Sequence, residues 1–96
     1  MEKLIKFEEK EYKISNEGFY PIILFKRIKG RSTPTEDLED IITFLYCYFK
    51  AYNSDFKLEL EEFLMKCGNE PLTEFTKFLI DENKEEDSNK KKVIQK

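Results

Sequence analysis

The chain has 96 residues, 40% hydrophobic and 39% charged, with a formal net charge of −3 and a pI near 5.1. This describes one globular domain with a modest core, and its acidic balance gives no attraction for a phosphate backbone, which argues against a nucleic-acid partner. No apolar run reaches the ~20 residues that span a bilayer, and MEKLIKFEEKEYK lacks the apolar centre of a signal peptide, so no membrane partner is expected and the chain reads as cytoplasmic.

Nine Phe and five Tyr, with no Trp, must supply much of the core. Residues 4–15, LIKFEEKEYKIS, alternate with the period of a strand. A two-residue turn at Glu9-Lys10 sets Phe7 opposite Tyr12 and Ile5 opposite Ile14, all on one face of a hairpin. Lys6 and Lys13 then share the other face. An isolated hairpin is marginal in water, so the apolar face is expected to lie on helices.

Ile22-Ile23-Leu24-Phe25 fits either a buried strand or part of a short helix. The stripe Phe19/Tyr20, Ile23/Leu24, Ile28 favours a helix over 19–29. Lys26, Arg27 and Lys29 suit its negative end, and Gly30 suits the residue that stops it. Pro21 restricts the start to the first turn.

The most apolar stretch is TPTEDLEDIITFLYCYFKAYN, residues 33–53. Thr33 as N-cap, Pro34 at N1 and Glu36 at N3 predict a capped start, and the helix runs to Asn53. Leu38, Ile41, Ile42, Leu45, Tyr48, Phe49 and Tyr52 form one broad stripe, which Phe44, Cys47 and Ala51 widen on one flank and Tyr46 on the other. A helix this apolar needs cover on most of its circumference. Asn53-Ser54-Asp55 then breaks the chain, and a shorter helix follows, with Phe56, Leu60, Phe63/Leu64 and Cys67 on one face and Gly68 at its end. Pro71 opens a last helix bearing Leu72, Phe75, Phe78 and Leu79. From Asp81 the composition turns almost wholly polar, an acidic block followed by a basic one. The expected architecture is mainly α: a single helical domain, residues 1–82, of about four helices with a short N-terminal β-hairpin, and a flexible, disordered charged C-terminal tail over 83–96.

Catalytic chemistry is sparse. There is no His, which removes the usual general base and the commonest metal ligand. The three glycines are isolated, so no phosphate loop is present. Residues 55–62 lack the alternating oxygen ligands and central glycine of a calcium loop. Glu59, Glu61 and Glu62 read as a solvated helix face, and Ser32 and Ser54 as boundary residues. Cys47 and Cys67 are too few for a disulfide framework or a zinc site. The expectation is a protein that is no enzyme and carries no cofactor and no metal.

A 96-residue chain has little left to cover both flanks of the central helix. Phe44, Tyr46, Phe75 and Phe78 are therefore expected to stay partly exposed as a partner-binding patch, with carboxylates around it complementing basic residues of the partner. A homo-oligomer would be another use of the same patch.

The opening FEEKEYKI, the helix ending FKRIKG, the segment DLEDIITFLYCYFKAYN and the next start DFKLELEEFL, in that order, resemble the tail assembly chaperones of long-tailed phages over about residues 4–80. Pro21 departs from the family pattern. The resemblance implies a non-enzymatic chaperone in the host cytoplasm that binds the tape measure protein and keeps it soluble while tail tube protein assembles around it. It also implies a longer frameshifted product, with which Asn89-Lys90-Lys91-Lys92 is compatible. The alternative is a small acidic phage or host adaptor or inhibitor that acts by protein–protein binding.

Overall fold

In the computed structural model the backbone is described for residues 2–94 and the side chains for residues 2–81. A hairpin of β1 (Glu2–Phe7) and β2 (Lys10–Ser15) is followed by α1 (Tyr20–Lys29), α2 (Leu38–Tyr52), α3 (Leu60–Lys66) and α4 (Asn69–Ile94). The mainly α architecture with an N-terminal hairpin is the one the sequence predicts. The flexible tail expected over 83–96 falls outside the residues whose side chains are described.

The hairpin turns at Glu8-Glu9, one residue earlier than the alternation suggests. Both residues take positive φ, 50° and 66°, as a two-residue turn of the I′ kind requires. Phe7 therefore pairs with Lys10, Ile5 with Tyr12 and Lys3 with Ile14. The pairing is displaced by two residues from the expected one, which leaves every side chain on its expected face. Ile5, Phe7 and Ile14 are buried.

Helix α1 keeps Pro21 in its first turn and ends at Gly30, whose φ of 80° is left-handed and whose N–H donates to Lys26 O at 2.8 Å. Helix α2 starts at Leu38, four residues after the expected Pro34. The reason is Asp40, which is buried. Its Oδ2 accepts from the Thr35 N–H at 2.8 Å, from the Thr35 hydroxyl at 2.8 Å and from the Arg31 guanidinium. Thr35 Oγ1 in turn accepts from the Asp37 N–H at 3.2 Å. Residues 33–37 are spent on this knot, and the capping box does not form. Lys29 Nζ, 2.8 Å from Glu39 and 3.5 Å from Asp40, ties the end of α1 to the same place.

Helix α3 also starts late, at Leu60 rather than Phe56. The Tyr46 hydroxyl donates to the Leu58 carbonyl at 2.9 Å, which holds residues 56–59 on a path outside the helix. Phe56 is nevertheless buried.

The core has two halves, one on each flank of α2. On one, Phe7, Tyr12, Tyr46, Phe49, Phe56 and Phe63 form a connected set of ring contacts with centroids 4.9–6.4 Å apart. On the other, Phe25, Phe44, Tyr48, Phe75 and Phe78 do the same at 5.0–6.1 Å. The hairpin and α3 thus pack on one set of α2 rings and α1 and α4 on the other, and α4 also packs against β1, where Glu74 lies 3.0 Å from Lys3 Nζ. Asn53 joins the end of α2 to the sheet: its Oδ1 accepts from the Lys13 N–H at 3.0 Å, and its Nδ2 donates to Lys13 O at 2.8 Å and Phe49 O at 3.1 Å.

Candidate partner-binding site

Phe44, Tyr46, Phe75 and Phe78 are core residues, none more than 7% exposed. The expectation that they stay partly exposed is corrected: Phe25 of α1 and Phe75 of α4 pack on Phe44, Tyr48 of α2 packs on Phe75 and Phe78, and Phe56 and Phe63 flank Tyr46. Of the four, only Tyr46 lines an open groove. The chain does leave apolar surface in water, but on α1.

Helix α1 turns Pro21 and Phe25 inward. Its outer side carries Phe19 at 77% exposure, Tyr20 at 48%, Ile23 at 45% and Ile28 at 42%. Tyr20, Leu24 and Ile28 follow one another at intervals of four and form one wall of a groove of about 410 Å³. Tyr46, Cys47 and Phe56 add apolar lining from α2 and the segment after it. Lys50 and Lys57 provide its charge, and no carboxylate lines it, in a chain whose net charge is negative. Lys50 Nζ stands 5.7 Å from the centre of the Tyr46 ring. The Gly18 N–H donates to the Tyr52 hydroxyl at 3.2 Å and fixes the approach to α1.

Cys47, in the groove wall, and Cys67, outside it, are not activated thiols. Burial pushes the Cys47 thiol up to about 12 and the Cys67 thiol up to about 11, so both are protonated at neutral pH. Burial also raises the Tyr46 hydroxyl, with Glu59 adding to the shift. The remaining large exposed apolar side chains, Leu4, Leu38, Met65 and Ile80, belong to four other elements. Among the described residues no helix is long and apolar enough to cross a membrane.

Sequence periodicity finds the stripe Phe19/Tyr20, Ile23/Leu24, Ile28 but does not say whether it meets the core or solvent. The signal that separates the two sides is that α1 is apolar all round, with Pro21, Ile22 and Phe25 supplying a second face. A helix with two apolar faces at the surface of a small domain can bury only one of them. Comparison of the chain with protein families, curated proteins and solved structures gives no match.

Proposed function

We propose that this protein is a non-enzymatic binding module that shields an amphipathic helix of another protein, as a tail assembly chaperone shields the tape measure protein. The observation that carries the reading is the α1 groove, with Tyr20 and Ile28 exposed and Leu24 half-buried between them, beside Tyr46 and Phe56. Tyr20 to Ile28 spans eight residue steps, about 12 Å of helix, which is room for roughly two turns of a client helix. The lysines at the groove favour a client with carboxylates beside its apolar stripe, opposite in sign to the basic partner expected from the acidic composition. The resemblance to phage chaperones supplies the client class, a long helical protein that aggregates when alone.

The test is co-purification with a tape measure fragment, followed by titration calorimetry, for the unaltered chain and for the Tyr20→Asp, Ile28→Asp double variant. Both substituted residues are exposed, so circular dichroism should show the fold unchanged. Loss of the fragment from the folded variant supports the reading. Full retention refutes it.

A further inference from the structure

We propose that β1 is a self-recognition edge, which pairs antiparallel with β1 of a second copy about Leu4 and builds a four-stranded sheet. The argument begins at the opposite edge. Both backbone groups of Lys13 bond the Asn53 side chain, so they point away from β1. Lys13 faces Leu4 across the ladder. In an antiparallel pair, facing residues turn their N–H and C=O groups either both inward or both outward. The groups of Leu4 therefore point out of the free edge of β1, and those of Glu2 and Lys6 follow at a period of two. Helix α4 packs against β1, where Glu74 reaches Lys3 Nζ at 3.0 Å, but among the described residues no hydrogen bond beyond the hairpin engages the backbone groups of Glu2, Leu4 or Lys6. One edge of this sheet is sealed by Asn53 and the other carries a row of unused donors and acceptors.

The side chains on that row choose the partner. Glu2, Leu4 and Lys6 all lie on the exposed face, Leu4 at 59% exposure, and Glu2 Oε2 is 3.5 Å from Lys13 Nζ on the same face. Antiparallel pairing with Leu4 opposite Leu4 of a second copy sets Glu2 opposite Lys6 twice, once on each side of the two-fold axis. Registers that keep the same hydrogen-bond phase but shift along the strand set Glu2 on Glu2, or Lys6 on Lys6, or leave the charges without opposites. The self-complementary register is also the one that uses all three outward residues. Six residues of strand bury less than the ~1,200 Å² of a stable interface, so the dimer is weak and depends on concentration.

The experiment is sedimentation equilibrium over about 10 µM to 1 mM, with a mixed-label sample to detect Leu4–Leu4 contacts between copies by NMR. The unaltered chain should dimerise within this range and show the contact. Lys6→Glu, which replaces two attractions by two repulsions, should weaken the dimer roughly tenfold or more, and adding Glu2→Lys to it should restore the dimer. Leu4→Pro removes an outward N–H that takes no part in the hairpin ladder, and should give a folded monomer. An unaltered chain that stays monomeric at about 1 mM, or a Lys6→Glu variant that dimerises as well as the unaltered chain, overturns the proposal. So does a failure of the double exchange to restore pairing in a folded protein.

Discussion

Phe49→Ala is the sharpest probe of the core, and Phe19→Ala is its control. Phe49 is wholly buried on α2, with ring centres of Phe7, Tyr12, Phe56 and Phe63 at 6.2, 4.9, 5.4 and 5.6 Å. Returning such a ring to water costs about 1.5–3 kcal/mol, and the cavity left among four rigid neighbours raises the total to about 3–5 kcal/mol. A domain of this size holds only about 4–12 kcal/mol in all, so the variant should melt on the order of 20 °C lower and be close to unfolding at body temperature. Phe49→Leu keeps much of the volume and should cost about 1–2 kcal/mol, which guarantees a measurable folded form. Phe19 is 77% exposed, and its truncation should change stability by less than about 0.5 kcal/mol. Urea unfolding followed by circular dichroism measures all three. A Phe49→Ala cost below about 1 kcal/mol, or equal costs for Phe49 and Phe19, would refute the placement of α2 at the centre of the core.

Glu8→Asn with Glu9→Gly should stabilise the protein by about 1 kcal/mol, since both glutamates hold the left-handed region that Asn and Gly take up more readily; a lower urea midpoint would contradict the turn assignment. Gly30→Ala should destabilise by about 1–2 kcal/mol through backbone conformation alone, because a Cβ there meets no atom within 4 Å. Asp40 predicts part of the acid limb. The Thr35 N–H, then the Thr35 hydroxyl and the Arg31 guanidinium, hold its carboxyl well below the usual carboxylate range. A depressed folded-state value means that this stabilisation is complete above the unfolded value of about 4 and is lost as pH falls below it. Asp40→Asn should therefore lose less stability between about pH 7 and pH 3 than the unaltered chain, and an identical loss in both would assign the acid limb to other groups.

Periodicity reveals which residues share a face, but not what the face meets. In the hairpin it placed Ile5, Phe7 and Ile14 together correctly and missed the pairing, because a displacement by two residues leaves alternation intact. Only the turn distinguishes the registers, and Glu8-Glu9 carries none of the usual turn residues. The end of α1 was legible, since Gly30 and the basic last turn act locally. The start of α2 was not. Thr33, Pro34 and Glu36 make a sound local cap, but Arg31 and Thr35 both reach Asp40 and win over it. Tyr46 does the same to the start of α3 through Leu58, twelve residues away. The exposure expected of Phe44, Tyr46, Phe75 and Phe78 was not found for a related reason. The surplus of apolar surface was real, but whether Phe44 or Tyr20 is left over depends on which face of α1 docks on α2, and α1 has two to choose from.

The Asn53 bond to Lys13 also sets a schedule for the growing chain. The two residues are forty apart, and synthesis at about 5–20 residues per second delivers the asparagine roughly 2–8 s after the strand it must hold. During that interval the hairpin has left the ribosome without its clamp or the helix beneath it. Its aromatic side then presents Phe7 and Tyr12 to water, and two strands alone are too few to persist. The nascent protein therefore passes through a short sticky stage of its own making, which ends when the central helix emerges and the asparagine closes on the strand.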